Sequence, residues 1–371
     1  MLRYLQIENF KSLKKVTIPI EKLNLFFGMN GMGKSSVIQS LLLLRQSYWT
    51  RDRKRLLGLT INGELCNLGT IADVLCTEAE NEKIRFVASF DHDNLLDTTF
   101  SNDGNSLSSG MIKIQDLEDA DVPYADEEAL FGKNFCYLAA DHIGPMAEYS
   151  TIKWDGDSMN PLGVHGEYAV PFLAMEGDTY RVPDELCLEN GKTNRLFDQV
   201  SAWMGLISPG VKVGARYIPF EEKAKLDISY IGSKLESAPF LPVNVGFGVP
   251  YVLPLLVVLL TAQKKGLVLI ENPESHLHPR GQSAMGRLIA KVSDYGVQII
   301  CESHSDHLIN GIRVAVKEDI LKSKDLSVIY FGQDEDRMTK TIEVSVDRNG
   351  NLSDYPVGLL DEWGMQMSAL L

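Results

Sequence analysis

The chain has 371 residues, of which 44% are hydrophobic and 23% are charged, and its formal net charge is −14. These values are typical of a globular protein, and the length is sufficient for two ordinary domains or for one domain with a large insertion. The acidic balance excludes a protein that coats itself in nucleic acid through bulk positive charge. A local basic groove is still compatible with this charge. The strongest basic cluster, Arg51–Arg55, is interpreted as a solvated face.

The first predicted elements are three short strands at Tyr4–Phe10, Lys15–Ile20 and Leu23–Phe27. Residues 28–35 follow and read G-M-N-G-M-G-K-S, which is the G-x-x-x-x-G-K-S pattern of a phosphate-binding loop. This pattern requires a helix after it, and Ser36–Gln46 has the apolar spacing of a helix. The glycines let backbone N–H groups point at phosphate oxygens, Lys34 is expected to reach the terminal phosphates, and the Ser35 hydroxyl is expected to hold a magnesium ion.

The middle of the chain has a weaker pattern. A strand is predicted at 83–90, and the stretch Asp91–Gly110, which is rich in Asp, Asn, Ser and Gly, predicts loops. Asp116–Glu128 carries seven carboxylates and is interpreted as a solvated segment. Residues 130–235 mix short apolar runs with turns around a predicted helix at Thr193–Met204. We interpret this region as an insertion carried by the nucleotide-binding part of the chain.

From residue 241 the sequence alternates between helical and strand patterns. The predicted elements are a helix at Pro250–Ala262, a strand at 267–271, a helix at 281–294, a strand at 297–301, a helix at 305–317, a strand at 326–331 and a strand at Thr341–Val346. The expected fold class is α/β, a P-loop nucleoside triphosphatase with a mixed sheet, flanking helices and a large α+β insertion. Residues 1–90 and 241–371 are expected to form the nucleotide domain, and residues 91–240 the insertion.

Cysteine usage and hydropathy bear on the compartment. The five cysteines are scattered and form no C-x-x-C pair, which indicates a reducing environment. The N-terminal stretch Met1–Ser12 has no apolar signal core. An uncharged stretch lies between Glu236 and Lys264, but only Tyr251–Thr261 is densely apolar, which is too short for a membrane span and predicts a buried helix. We therefore expect a cytoplasmic protein without a membrane partner.

Three segments beyond the loop can complete a nucleotide site. Glu271 ends a buried apolar strand, where its carboxylate can reach magnesium or the water shell of the ion. Gly246 and Gly248 open the apolar helix before it, and backbone amides at a helix start suit a phosphate that approaches from outside. His304 follows the next strand, where it can contact the terminal phosphate.

This order of motifs resembles the head of ABC-class ATPases, and more narrowly the prokaryotic RecF, structural-maintenance-of-chromosomes and overcoming-lysogenisation-defect ATPases. The resembling segments are Ile7–Ser12, Phe27–Ser36, Ile270–Pro279 and Ser303–Leu308. Such heads form head-to-tail homodimers around bound ATP and Mg²⁺. The resemblance therefore implies that Gly246–Gly248 of one subunit closes on nucleotide held by the other, with His278 at the interface.

The resemblance also assigns individual residues. The residues implied to bind the nucleotide are Lys11, Ser12, Asn30, Gly31, Met32, Gly33, Lys34, Ser35, Ser36, Gly246 and Gly248. Ser35 and Glu271 are the implied metal ligands. The implied catalytic residues are Glu271, Asn272, Glu274 and His304.

One position departs from the pattern of these ATPases. Asn272 occupies the place of the usual catalytic glutamate, and an amide can orient water but cannot accept its proton. We therefore expect slow hydrolysis and a long-lived ATP-bound dimer, with Glu274 as a candidate substitute base. In addition, no glutamine occurs in Leu68–Asp73, where a magnesium-sensing glutamine is expected, so that contact stays unassigned.

The histidines allow a different interpretation. His276, His278, His304 and His307, together with Glu271, are legitimate ligand types for zinc or manganese. The resemblance accounts for His278 and His304 without a transition metal, which favours ATP and Mg²⁺ as the cofactors.

Three function classes follow from these motifs. The first is an ATP-dependent switch that dimerises and controls a separate effector protein in antiphage defence or nucleic-acid surveillance. The residues after His307 are too few for a nuclease domain, so any nuclease is expected to be a separate protein. The second class is a DNA repair or recombination ATPase that binds DNA directly, although no long heptad run for coiled-coil arms is visible. The third is a P-loop kinase, which leaves Gly246–Gly248 and His304 unexplained.

Overall fold

A computed structural model describes residues 1–50, 56, 58–101, 111–114, 122, 124–152, 158–232, 235–246, 248–356 and 358–370. The basic cluster Arg51–Arg55, most of the acidic stretch Asp116–Glu128, and Phe247 between the two signature glycines lie outside the described residues.

The described strands are numbered in chain order. They are β1 (Leu2–Phe10), β2 (Leu13–Pro19), β3 (Leu23–Gly28), β4 (Gly58–Thr60), β5 (Lys83–Phe90), β6 (Leu95–Ser101), β7 (Met111–Ile114), β8 (Phe135–Leu138), β9 (Tyr149–Ser150), β10 (Val211–Ile218), β11 (Lys223–Tyr230), β12 (Leu267–Glu271), β13 (Gln298–Glu302), β14 (Leu326–Gln333) and β15 (Thr339–Val344). The α-helices are α1 (Lys34–Thr50), α2 (Ile71–Val74), α3 (Ala169–Glu176), α4 (Leu196–Ile207), α5 (Gly248–Thr261), α6 (Pro279–Tyr295), α7 (Asp306–Lys317) and α8 (Glu362–Leu370).

A six-stranded central sheet has the order β15-β14-β3-β13-β12-β8. Its strands are parallel except β15, which pairs antiparallel with β14 at the edge. The inner strands β12 and β13 are buried along their whole length, because helices cover a parallel sheet on both faces. Since β3, β13 and β12 run in the same direction, the residues at their carboxyl ends meet at one edge of the sheet, which is where ligands bind in open α/β sheets.

Alternate residues of the central strands enter two different cores. Leu269 of β12 and Ile300 of β13 pack in one apolar cluster with the buried face of α1 and with the β1–β5 side of the molecule. Ile270 and Cys301 point the other way and pack in a second cluster with α5, α6 and α7. This alternation follows from the two-residue period of a strand, and it decides which strand-end side chains face the phosphate-binding loop.

A second six-stranded sheet and a three-stranded sheet accompany the central one. The first is antiparallel with the order β2-β1-β5-β6-β7-β4, and the second contains β10, β11 and β9. The prediction of loops throughout Asp91–Gly110 was wrong for β6, which pairs with β5 from Lys83↔Ser101 to Ser89↔Leu95. The hairpin of β10 and β11 was also not predicted. Both elements are held by pairing with a neighbouring strand, which local composition does not reveal.

The remaining predicted elements of the nucleotide domain are confirmed, with bounds that differ by a few residues. The division into 1–90, 91–240 and 241–371 stays a proposal. Within 91–240, β8 is an edge strand of the central sheet, since it pairs with β12 from Phe135↔Leu267 to Leu138↔Ile270. The part of this region that builds its own sheet therefore begins after β8.

The apolar segment that precedes the acidic strand forms α5, which is buried from Val249 to Leu260. Among the described helices, none is both long enough and apolar enough to cross a bilayer. All five cysteines are free thiols.

Candidate nucleotide site

The phosphate-binding loop connects β3 to α1. Gly28, Gly31 and Gly33 have φ values of 139°, 79° and 96°, a region that side chains with a Cβ rarely adopt. A Cβ on Gly33 would also lie 2.4 Å from Thr339 Oγ1. These positions therefore require glycine, and the loop delivers the chain directly into the first turn of α1.

Lys34 and Ser35 stand at the start of α1. Lys34 is 3% exposed, and its Nζ donates hydrogen bonds to the carbonyl oxygens of Gly28 and Met29, both at 2.8 Å. The Ser35 hydroxyl donates to Glu302 Oε2 at 2.8 Å. Burial lowers the pKa of Lys34, whereas the nearby Glu302 carboxylate opposes that shift. The loop surrounds a cavity of about 160 Å³ lined by Asn30, Gly31, Gly33, Lys34, Ser35, Ser36 and Glu302.

Ser12 and Thr339 support the loop from one side. Thr339 Oγ1 lies 2.8 Å from Ser12 Oγ and donates to the Met32 carbonyl oxygen at 3.0 Å. Lys11 adopts a left-handed backbone conformation, and its Nζ donates to Oε1 of the half-buried Gln39 in α1 at 2.6 Å. The structure thus places Ser12 directly against the loop through Thr339, whereas Lys11 contacts the adjacent helix. Sequence reasoning did not identify Thr339.

Glu271 lies at the end of β12, beside Glu302 at the end of β13, and the two are register partners. Tyr137 donates its hydroxyl to Glu271 Oε1 at 2.8 Å, which fixes that carboxylate in a buried setting. Burial, together with the negative charge of Glu302, raises the pKa of Glu271 to about 7. Sequence reasoning missed both Tyr137 and Glu302, although an acidic residue that ends an apolar strand next to His304 was a visible signal.

Asn272 follows Glu271 in a left-handed conformation, with φ of 48°. Its N–H donates to the backbone oxygen of Glu302 at 2.9 Å, and its carbonyl accepts from the N–H of Ser275. Its side-chain Oδ1 is buried and has no hydrogen-bond partner among the described residues. Asparagine tolerates left-handed backbone better than glutamate does, so the turn itself accounts for part of the departure at this position.

Glu274 connects the acidic strand to the segment after β13. Its carboxylate accepts hydrogen bonds from Ser303 Oγ at 2.8 Å and from the His304 N–H at 2.7 Å. The His304 ring is partly exposed, with Nε2 at 4.0 Å from Glu302 Oε1. Burial, together with the positive charge of Lys34, lowers the pKa of His304. One oxygen of Glu274 thus holds the Ser303 side chain and the other holds the His304 backbone, and together they position His304.

The two signature glycines lie in different surroundings. Gly246 is exposed, and a Cβ built on it would meet no atom within 4 Å among the described residues. Gly248 begins α5, and a Cβ there would lie 2.6 Å from the His276 carbonyl oxygen. The start of α5 therefore packs on the loop after the acidic strand, while Gly246 faces solvent.

The histidines do not converge. His276 packs its ring at 4.7 Å from that of Tyr251, and His278 caps α6 by accepting from the Arg280 N–H at 3.3 Å. Among the described residues, no group of three or more His, Cys, Asp and Glu side chains is arranged to hold a metal ion. The oxygen atoms at the loop are a different donor set, consisting of the Ser35 hydroxyl and the Glu302 carboxylate, with the Glu271 carboxylate on the neighbouring strand. Hard oxygen donors of this kind fit Mg²⁺.

Comparisons with known proteins agree with this architecture. Residues 23–310 match the family described as "AAA domain, putative AbiEii toxin, Type IV TA system". Residues 321–370 match a family described as "Protein of unknown function (DUF3696)". No curated protein matches the chain.

Solved structures extend the comparison to the fold. A Smc head bound to the C-terminal winged-helix domain of ScpA aligns with a TM-score of 0.55 and 16% identity, over 93% of this chain and 98% of that one. The Pyrococcus furiosus Smc head with an extended coiled coil, bound to the C-terminal domain of ScpA, aligns with a TM-score of 0.53 and 16% identity, over 100% of this chain and 99% of that one. At such identities the likeness establishes the fold alone.

Proposed function

Because the chain belongs to this AbiEii-type AAA family and has the fold of an ABC-class ATPase head, we propose that it binds ATP with Mg²⁺ and hydrolyses ATP slowly as a head-to-tail homodimer. The observation that carries the proposal is the convergence of Lys34 and Ser35 with Glu271 and Glu302 at the carboxyl ends of adjacent strands. That edge of the sheet is the general position of ligands in open α/β folds.

Each loop residue then has a chemical task. Bound ATP with Mg²⁺ would supply the phosphate ester to be cleaved and the cation that neutralises its charge. Lys34 Nζ, which donates to two loop carbonyls, would turn its charge towards the terminal phosphates. His304, whose backbone N–H is held by Glu274, would bond a phosphate oxygen. The N-terminus of α1 favours negative charge in the same direction.

The exposure of Gly246 supports a composite site. A helix that begins at the surface behind two glycines presents backbone N–H groups to an incoming anion. In this chain the start of α5 packs on the segment after Glu271, at the His276 carbonyl oxygen, and the preceding Gly246 is exposed. We therefore propose that Gly246 and Gly248 of one subunit complete the nucleotide site of the other.

Slow turnover follows from the groups next to Glu271. Asn272 can orient water but cannot take its proton, and both oxygens of Glu274 already accept hydrogen bonds. We propose that the ATP-bound dimer persists and acts as a switch for a separate cytoplasmic effector protein. Both Smc heads were solved with a domain of another protein bound, and the family description names a toxin–antitoxin system. These facts support an effector partner and a role in antiphage defence.

The test combines oligomeric state with turnover. We expect light scattering to give a dimer with ATP and a monomer without nucleotide, and we expect a kcat below about 1 per second. If Asn272→Ala leaves turnover unchanged while Glu274→Gln abolishes it, catalysis depends on Glu274 and not on the Asn272 amide, and Glu274 acts either as the base or through its hold on His304. A monomer that transfers phosphate to an added acceptor would support a kinase instead, and a salt-sensitive complex with DNA would support a repair ATPase.

The effector is tested separately by co-purification in the presence and absence of ATP. We expect a partner to be retained only under the condition that gives the dimer. A partner retained equally by monomer and dimer would contradict control by the ATP switch.

A further inference from the structure

Glu302 is a buried carboxylate that no motif assigned. It ends β13, the strand that lies between β3 and β12, so its Cα is in register with Phe26 on one side and with Glu271 on the other. Its side chain is 7% exposed. An isolated carboxylate this deeply buried is costly, so its partners should explain its presence.

The strand period directs this carboxylate towards α1. Ile300 lies two residues before Glu302, and Leu269 lies two residues before Glu271. Both apolar side chains pack in the cluster that contains the buried face of α1. Side chains two residues apart share a face of a strand, so Glu302 and Glu271 both point towards the helix that carries Ser35.

The two carboxylates have different partners on that face. Glu302 Oε2 accepts the Ser35 hydroxyl at 2.8 Å, and Glu302 Oε1 lies 3.7 Å from Lys34 Nζ. Glu271 is instead held by the Tyr137 hydroxyl at 2.8 Å. The hydroxyl has one proton to donate, and it donates that proton to Glu302. The lone pairs of Ser35 and the free lone pairs of Glu302 thus lie side by side.

We propose that Glu302 is a ligand of the Mg²⁺ ion that accompanies ATP and shares that ion with Ser35. In this assignment Glu271, anchored by Tyr137, orients the water shell of the ion. A hydroxyl beside a carboxylate offers the hard oxygen donors that Mg²⁺ prefers. The inference rests on the proposed nucleotide binding. It adds a metal-binding residue on β13, which lies between β3 and β12.

A purely structural role for Glu302 makes a different prediction. If the carboxylate only neutralised Lys34, its removal would change nucleotide affinity equally with and without a divalent ion. Lys34 and Glu302 form a buried ion pair at 3.7 Å, while the hydrogen bonds of Lys34 go to its own loop. A metal ligand must instead change only the part of the affinity that depends on the ion.

The experiment measures the affinity of a fluorescent ATP analogue in Mg²⁺ and in EDTA for the wild type, Glu302→Gln and Glu271→Gln. The exposed Glu343→Gln is the matched control. Glutamine keeps the volume and an acceptor for Ser35, so Glu302→Gln should fold, and circular dichroism checks this. For each protein we compare the affinity in Mg²⁺ with the affinity in EDTA. We expect this ratio to be at least about tenfold smaller in Glu302→Gln than in the wild type, while the affinity of the variant in EDTA is unchanged or higher.

A second readout is the affinity for Mn²⁺ of the protein with a non-hydrolysable ATP analogue bound. The electron paramagnetic resonance signal of the free ion measures this affinity. We expect Glu302→Gln to weaken Mn²⁺ binding by at least about tenfold and Glu302→Asp, which keeps the charge, to weaken it less. If Glu302→Gln keeps the wild-type gain from Mg²⁺, the proposal is wrong whatever Glu271→Gln does. A wild type that binds no nucleotide in either buffer would contradict the proposed function itself.

Discussion

Asn272 combines a backbone requirement with a chemical one. Its φ of 48° is left-handed, and its N–H is bonded to the backbone of Glu302, so the turn after β12 needs a residue that accepts this conformation. Its Oδ1 is buried without a partner among the described residues, which leaves the amide available to a water molecule. Substitution can separate these two contributions.

We predict different outcomes for two substitutions of Asn272. Glycine adopts the left-handed conformation freely, so Asn272→Gly should keep thermal stability while it lowers kcat at least about tenfold. Asn272→Ala should lower kcat similarly and also cost about 1 kcal/mol of unfolding free energy. Thermal denaturation and steady-state phosphate release are the measurements. Full activity in the glycine variant would leave the amide with a conformational role only.

His142 gives the fold a specific sensitivity to acid. Its side chain is buried, and its ring lies 4.5 Å from that of Tyr251 at the base of α5. Burial lowers its pKa from 6.5 to about 4. Below pH 6.5 the unfolded chain therefore binds a proton that the folded protein does not, and stability falls as the pH drops towards 4.

We predict that His142 destabilises the protein by about 2 kcal/mol between pH 7.5 and pH 5. His142→Phe should lose correspondingly less stability over that interval in urea denaturation. The exposed His92→Asn is the control, because asparagine tolerates the positive φ of 61° at that position. Equal acid sensitivity in the wild type and in His142→Phe would place the responsible group elsewhere.

At the scale of elements, α1 is fixed by an arginine as well as by its apolar face. Arg45 is fully buried and donates to the carbonyl oxygens of Leu130 and Met159, each at 2.6 Å. Its guanidinium also lies 3.9 Å from the ring centroid of Phe135 in β8. These contacts tie the helix that begins with Lys34 to the edge strand of the central sheet.

Arg45→Met should therefore lower the unfolding free energy by about 3 kcal/mol, because it leaves several buried carbonyls without a donor. The control is Arg287→Met, which removes a surface ion pair with Glu318 and should cost less than about 1 kcal/mol. Denaturant unfolding monitored by circular dichroism measures both. Similar losses in the two variants would show that the Arg45 hydrogen bonds add little.

A strand could be predicted from the sequence when its own residues indicate it, but not when a neighbouring strand stabilises it. β12 is an uninterrupted apolar run ending in a carboxylate, so its sequence alone indicated a buried strand. β6 reads LLDTTFS among Asp and Asn residues, and it is a strand because β5 supplies hydrogen-bonding partners. The helix predicted at Thr193–Met204 is α4, which begins three residues later at Leu196.

The site was predictable to the extent that its chemistry lies in contiguous residues. Lys34 and Ser35 belong to one loop, so their spacing predicted their roles. Glu302 contacts Ser35 only because β13 lies between β3 and β12, and strand order is not written in any local pattern. The same holds for Thr339, which reaches the loop from a strand more than three hundred residues away in the chain.

At the scale of the whole molecule, the proposed dimer depends on a surface that the single chain leaves open. The two signature glycines differ in what a side chain would meet, since Gly246 has open space and Gly248 packs on the His276 carbonyl oxygen. A substitution at Gly246 can therefore disturb an interface without disturbing the monomer. The acidic net charge of −14 opposes self-association, so we expect the chain to remain monomeric without ATP.

We predict that Gly246→Glu keeps the melting temperature and the nucleotide affinity of the monomer but abolishes the ATP-dependent dimer, because a carboxylate would face the triphosphate held by the other subunit. Gly248→Ala is the contrasting variant, since its Cβ would lie 2.6 Å from a backbone oxygen and should destabilise the monomer itself. Light scattering with ATP and thermal denaturation without it separate the two effects. A Gly246→Glu protein that still dimerises with ATP would mean that subunits meet through another surface, and the nucleotide site would then belong to one chain alone.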